Sequence, residues 1–222
     1  MQSTVTVLLP AFNEEKAIGK VIQEIKGLSL DYGILVVDNK STNGTKAGAT
    51  ALGVNVLYEG EKGKGNAVRA GFKHIKTPYV VMIDSDFTYP AKHLPEVIRS
   101  LDNGADVVIG YRNKRAKGSM SRMNIIGNWG LSMLASILYG VYVRDVCSGM
   151  WGFRRSVLSR YKLSSNGFTL EADLFANTIR GKYKLVQIPI EYRARLDDSV
   201  AKLSIKDGFK IASFLIKKRF SR

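Results

Sequence analysis

Six short apolar runs, Val5–Leu9, Ile34–Val37, Val54–Leu57, Val80–Ile83, Val107–Ile109 and Leu185–Ile190, constrain this chain more than any other feature. Runs of this length, rich in valine and isoleucine, read as strands covered on both faces, the pattern of a parallel sheet. Helical patterns lie between most of them. Glu15 to Lys26 places Ile18, Val21, Ile22 and Ile25 on one face, and Gly65 to Ile75 and Leu94 to Leu101 are similar. Strand and helix therefore alternate through the first half, which predicts an α/β fold with a mostly parallel sheet and helices on both faces. From Asn124 to Val141 the apolar residues surround the helix instead of forming a stripe, implying burial or contact with lipid. Without an internal repeat or a Pro- or Ser-rich linker, one domain over residues 1–222 is expected.

Composition narrows the chemistry. At 222 residues and 45% hydrophobic content the chain can bury a core. Its formal charge of +15 calls for a polyanionic partner: nucleic acid, an anionic membrane or a phosphate-rich substrate. No helix-turn-helix, zinc-finger spacing or aromatic RNA-binding sheet motif accompanies that charge, so nucleic acid is not expected. Cys147 is the single cysteine, which excludes an intramolecular disulfide and predicts a reducing compartment. His74 and His93 lack partners at metal-ligand spacing, which argues against zinc chemistry and a Ser-His-Asp triad. No secretory signal is expected ahead of the first strand. The longest apolar stretch, Leu131 to Val143, falls short of the roughly 20 residues that span a bilayer. A soluble or peripheral protein is predicted.

Asp84-Ser85-Asp86 follows the run Val80–Ile83 directly, at the place where open α/β sheets bind ligands. Mg2+ is usually held by one or two carboxylates together with substrate phosphates, so a short D-x-D is sufficient. An Asp pair also caps helices and fills turns. Three clusters accompany it. Pro10 to Glu15 closes the first strand and opens a helix, where free backbone N–H groups meet a ligand or an ordinary cap forms. Val36-Val37-Asp38-Asn39, followed by the turn Ser41 to Thr45, offers acid and amide groups to a nucleobase or ribose. Gly63-Lys64-Gly65-Asn66 precedes a helix and can hold phosphate through Lys64 and backbone amides, though it is not a Walker motif.

Taken in order, P-A-F-N-E-E, V-V-D-N-x-S-x-N-G-T, G-K-G-N-A, D-S-D and S-G-x-x-G-F-R-R resemble the family 2 glycosyltransferases with a GT-A fold, over about residues 5–205. Within that family the chain is most similar to the polyprenyl-phosphate sugar synthases of the dolichyl-phosphate mannose or glucose type. The tail Ile188-Pro189-Ile190-Glu191-Tyr192-Arg193-Ala194-Arg195, then Lys202, resembles their P-I-x-Y-x-x-R…S-K segment, with Lys202 further from Arg195 than that pattern has it. The resemblance implies an inverting, metal-dependent enzyme that moves a sugar from a nucleotide donor to a lipid phosphate, using Mg2+ or Mn2+. It makes Pro10, Phe12 and Glu14 nucleotide contacts and puts Val37 and Asn39 beside the base. It also has Asp84 and Ser85 touching the donor, Asp86 binding the metal, and Arg112 and Arg195 facing phosphates. Three departures stand out: Phe12 where tyrosine is frequent, Asn39 for the second Asp of a D-D pair, and Thr88 where mannose synthases place a metal-holding Gln.

A lipid phosphate is already an oxyanion at neutral pH, so no strong general base is required. Arg112, Arg122, Arg195 and Lys202 are expected to divide between donor and acceptor phosphates. Glu171 and Asp173 either orient the acceptor or cap a helix. Asn39, an amide that both donates and accepts, favours a UDP-sugar over GDP-mannose. Transfer to a glycan hydroxyl, with a base such as Asp173, and a non-catalytic nucleotide-sugar-binding subunit are the alternatives. Near the carboxyl end Ile205, Phe209, Ala212 and Ile216 form one stripe beside Lys206, Lys210 and Lys217, the pattern of an interfacial helix or of one packed on the sheet. Residues 119–143 and 204–222 are thus candidate membrane-interface segments. The expected place is the cytoplasmic face of an anionic membrane, with a small membrane-anchoring subunit as a further expected partner.

Overall fold

The computed structural model describes residues 3–196 and 205–221. Among these residues seven strands build one sheet: β1 (Val5–Ala11), β2 (Tyr32–Asp38), β3 (Asn55–Tyr58), β4 (Tyr79–Met82), β5 (Val107–Arg115), β6 (Trp151–Arg154) and β7 (Leu185–Tyr192). Their order across the sheet is β3-β2-β1-β4-β6-β5-β7. All neighbours run parallel except β6, which is antiparallel to both β4 and β5. The mostly parallel α/β sheet is as expected, but β6 is an addition. Its Trp151-Gly152-Phe153-Arg154 lacks the valine and isoleucine signature of the other six.

Among the described residues eight α-helices surround the sheet: α1 (Ile18–Lys26), α2 (Thr45–Ala51), α3 (Lys64–His74), α4 (Leu94–Asp102), α5 (Arg122–Tyr139), α6 (Arg155–Leu158), α7 (Leu170–Arg180) and α8 (Ile205–Phe220). Side-chain alternation along β1 divides the interior into two layers. Val5, Val7 and Leu9 join Ile18, Val21, Ile22 and Ile25 of α1 and Leu94, Val97 and Leu101 of α4. Leu8 joins Ala67 and Val68 of α3 and Leu170, Leu174 and Phe175 of α7. Each large aliphatic side chain so buried contributes about 1.5–3 kcal/mol. From β1 the chain first builds outward to β3, then crosses to β4 on the other side. The crevice where order reverses lies at the carboxyl ends of β1, β2 and β4, the standard ligand position in such sheets.

The two helices expected at a membrane pack together beside this crevice. In α5 only Asn128, Ser132 and Ala135 are buried, while Met123, Ile126, Trp129, Met133 and Ile137 are exposed, so burial does not account for its apolar character. In α8 the docking face is Ile211 and Leu215, whereas Phe209 and Ile216 of the anticipated stripe are exposed. Arg219 Nε donates to Leu138 O at 2.7 Å and Lys218 Nζ pairs with Asp173 Oδ1 at 2.9 Å, fastening α8 to α5 and α7. Among the described residues no helix is long and apolar enough to cross a membrane.

Candidate active site

A cavity of about 1090 Å³ opens at the strand ends of the crevice. Pro10, Phe12, Asn39, Lys64, Asp84 and Asp86 line it from β1, β2, β4 and α3, and Arg112, Glu171 and Arg195 from the other half of the fold. The same cavity is lined by Met120, Leu131 and Leu134 near or within α5 and by Phe209 and Ala212 of α8. One enclosure is thus charged at the sheet and apolar between the two helices.

The D-S-D turn is held by its own neighbours. Asp86 Oδ1 accepts from the Thr88 amide at 3.1 Å and the Thr88 hydroxyl at 2.5 Å, and Oδ2 pairs with Arg195 Nη2 at 2.6 Å. Phe87 between them has φ 68°, a left-handed conformation rare for a bulky residue, which turns the chain back so that Thr88 reaches Asp86. Ser85 Oγ donates to Pro10 O at 2.8 Å, tying the ends of β1 and β4 together. Asp84 Oδ1 meets Lys64 Nζ at 2.5 Å, and Lys64 also meets Glu171 Oε1 at 2.6 Å. Burial pushes the Asp84 carboxyl up to about 6, although Lys64 pulls it the other way. Burial would lower the Lys64 ammonium, but Asp84 and Glu171 outweigh it and hold its pKa well above the ordinary value. Gly149 is required here, since a Cβ would collide with Asp84 Oδ2.

Arg112 lies behind this cluster in a closed ion pair. Its Nε and Nη2 reach the two oxygens of Asp145 at 2.7 Å each, and its backbone N–H reaches Oδ2 at 3.1 Å. Burial would raise the Asp145 carboxyl, yet Arg112 outweighs it and the pKa is lowered, with Asn128 of α5 adding a side-chain hydrogen bond. Three buried polar atoms at the cavity wall have no protein partner: Ser119 Oγ, Asn128 Oδ1 and Arg195 Nη1. Such atoms are uncommon in a folded protein and leave hydrogen-bonding capacity at the cavity wall for water or a polar ligand group.

Of the expected site residues, Pro10, Phe12, Glu14, Asn39, Lys64, Asp84, Ser85, Asp86, Arg112, Glu171 and Arg195 come together at the cavity. Others are placed differently. Val37 is fully buried in the core beside Leu8, because it lies inside β2 on the same side as Asn39 but two residues before it, under α3. Thr88 is also fully buried and donates to Asp86, so it orients the carboxylate instead of coordinating a metal itself. Arg122, on the first turn of α5, is exposed and does not line the cavity. The Asn39 amide is taken up by the 59–63 loop. Its Oδ1 accepts from Gly63 N at 2.7 Å and its Nδ2 donates to Glu61 O at 2.7 Å, so it shapes that loop instead of presenting both groups to a base. Asp173 is fully buried and accepts from Ser164 N at 2.6 Å, Ser165 N at 2.9 Å and Asn177 Nδ2 at 2.9 Å, which removes it as a general base. Lys202 lies outside the described residues.

Sequence reading missed Asp145, Tyr89 and Asn128. Asp145 stands three residues before the Ser148-Gly149 pair, and an acid so close to a quoted motif was the available signal. Tyr89, whose hydroxyl accepts from Gly149 N at 2.6 Å, and Asn128 carry no local signature. Asp38 was quoted only as part of a motif. It is buried at the end of β2 with Oδ1 unpartnered.

The donor set fits a hard divalent cation, being carboxylate oxygen throughout. Among the described residues no cluster of three or more His, Cys, Asp or Glu could hold a metal alone. A cation on Asp86 would therefore complete its shell with diphosphate and water, as Mg2+ commonly does.

The chain matches the family model for glycosyl transferase family 2 over residues 6–162. It is 33% identical over 193 residues to a dolichyl-phosphate hexose transferase of Haloferax volcanii, covering 87% of this chain and 84% of the relative. It is 30% identical over 242 residues to a polyprenol monophosphomannose synthase of Mycolicibacterium smegmatis, covering 97% and 88%. Glucosyl-3-phosphoglycerate synthase from Mycobacterium tuberculosis, solved with Mn2+ and UDP-glucose, superposes with TM-score 0.76 at 22% identity over 98% of this chain and 79% of that one. The sheet, the crevice and these matches place the chain in glycosyltransferase family 2, with the GT-A fold, and make it a glycosyltransferase.

Proposed function

We propose that the enzyme transfers a hexose from a UDP-sugar to the phosphate of a dolichyl or polyprenyl lipid, using Mg2+ or Mn2+ and inverting the anomeric centre. The carrying observation is the mixed lining of one cavity, acidic and basic at the strand ends and apolar between α5 and α8. An acceptor with an anionic head on an apolar chain matches both halves at once, whereas a free glycan would leave the apolar half without a counterpart. The names of the relatives from Haloferax and Mycolicibacterium support a lipid phosphate acceptor. The UDP-glucose and Mn2+ in the fold relative support the donor and the cation. With the Asn39 amide engaged by the 59–63 loop, the choice of a uridine nucleotide is supported by that fold relative.

In the transfer, an oxygen of the lipid phosphate bonds to the anomeric carbon from one face as the bond to UDP breaks on the other. The electron pair leaves with UDP and no proton has to move, so no general base is needed. A bound cation supplies charge stabilisation to the departing diphosphate. Lys64, paired to Asp84 of the D-S-D turn, brings preorganised positive charge to the same place. Gly149 and Ser85 keep the turn in position. Met123, Ile126 and Trp129 on α5 and Phe209, Ile216 and Phe220 on α8 expose an apolar surface beside Lys206, Lys210 and Lys217. We propose that this surface lies on the cytoplasmic face of an anionic membrane, each basic residue contributing about 1 kcal/mol.

Radiolabelled UDP-glucose and GDP-mannose, each incubated with polyprenyl phosphate and Mn2+, test the reading. Label from the UDP-sugar is expected in the organic phase, and EDTA is expected to stop the transfer. Transfer from GDP-mannose alone overturns the choice of nucleotide. No lipid product from either donor overturns the acceptor.

A further inference from the structure

We infer that Arg195 holds the cation's place on Asp86, and that arrival of the cation with the nucleotide hands Arg195 over to the acceptor phosphate. This rests on Asp86 being the metal carboxylate in the reading above. Both Asp86 oxygens are engaged: Oδ1 by the Thr88 amide and hydroxyl, and Oδ2 by Arg195 Nη2 at 2.6 Å. The Thr88 bonds come from the turn itself and lie behind the carboxylate, Thr88 being fully buried. Arg195 reaches the carboxylate from the cavity side, which it lines. A cation held on Asp86 from the cavity side would compete with Arg195 for Oδ2, since two positive groups on one carboxylate oxygen repel at contact distance.

The guanidinium is built for the exchange. Nη2 is bonded to Asp86, whereas Nη1 is buried at the cavity wall without a partner. A planar fork with one arm occupied and one empty gains a second hydrogen bond on moving to a phosphate, which it can meet with both nitrogens. Release from Asp86 thus couples the two halves of the cavity. The enzyme binds cation and nucleotide first, and the acceptor phosphate meets a free arginine only afterwards. Arg195 compensates the acidic turn until the cation does so, and then contacts the acceptor phosphate.

Mn2+ binding measured by electron paramagnetic resonance on the nucleotide-free protein tests the exchange without turnover. Arg195→Gln is expected to bind Mn2+ about tenfold more tightly than the wild type, a size usual for coupling between two ligands. Arg193→Gln removes the same formal charge from a side chain paired with Glu24 at 2.6 Å, and is expected to leave Mn2+ affinity near wild type. Equal affinities in wild type and both variants, or equal tightening in both variants, overturn the exchange while leaving the proposed function standing. Undiminished Mn2+ binding by Asp86→Asn overturns it together with the metal reading. The second measurement is calorimetry of farnesyl phosphate. The wild type is expected to bind it more tightly once Mn2+ and UDP are present, and Arg195→Gln is expected to lose that enhancement. A wild type indifferent to Mn2+ and UDP overturns the ordered handover.

Discussion

Asp86 is a carboxylate held at Oδ1 by groups that do not depend on its charge. Thr88 donates to it through both amide and hydroxyl, and an asparagine there can keep one oxygen in the same position. Asp86→Asn is therefore expected to fold normally, with a thermal midpoint near wild type, and to lose about 10²-fold or more in kcat/KM as an electrostatic contact to the reacting charge is removed. Near-normal transfer by this variant would contradict its role. Asp145 presents the opposite case. It is almost wholly buried against Arg112, so Asp145→Ala strands a buried guanidinium and is expected to cost about 3–5 kcal/mol in denaturant unfolding. Because Arg112 holds the Asp145 carboxyl below its ordinary value, the stability it contributes is present above the usual carboxylate range and is lost as pH falls through the folded value. Asp145→Asn is expected to unfold with a shallower dependence on pH below about 4 than the wild type. The D-S-D turn was legible because a run of apolar residues ending in acid locates a strand end. The pairing of Asp145 with Arg112 was not, since the two lie 33 residues apart and meet only through β5 and the sheet.

Helix and strand positions were readable where local pattern decides them and obscure where tertiary contact does. The α1 stripe predicted from spacing is the stripe that is buried. β6 escaped notice because Trp151 and Phe153 gain their place from ring packing, stacked with centroids 5.9 Å apart, and Gly152 from the close approach of Val97. α8 carries apolar residues on two faces, and only the partner helices decide that Ile211 and Leu215 dock while Phe209 and Ile216 remain outside. Glycine substitutions separate the two kinds of constraint. In α5 a Cβ on Gly130 would meet nothing within 4 Å, so Gly130→Ala is expected to stabilise by about 0.5–1 kcal/mol, read as a rise in thermal midpoint. At the start of α3 a Cβ on Gly65 would collide with Ser165 O, so Gly65→Ala is expected to lower the midpoint and weaken nucleotide binding through Lys64 beside it.

On the side of the molecule formed by α5 and α8, exposed apolar residues of both helices accompany Lys206, Lys210 and Lys217 of α8. The protein is expected to sediment with vesicles of anionic lipid and to be released by high salt, since the attraction acts over about a Debye length. Replacing Lys206, Lys210 and Lys217 with Glu is expected to abolish sedimentation. Undiminished binding by that variant would assign α8 a purely structural part. The direction of β6 has its own bearing on this side of the fold. Because β6 runs against its neighbours, the chain leaves the carboxyl end of β5 and returns at the amino end of β6, with both ends beside the same cavity. Residues 116–150 are therefore a closed excursion with both feet at the reaction centre. A change in the length of such a segment leaves every strand threaded as before, so the D-S-D turn and the crevice at the sheet keep their places whatever stands between those two feet.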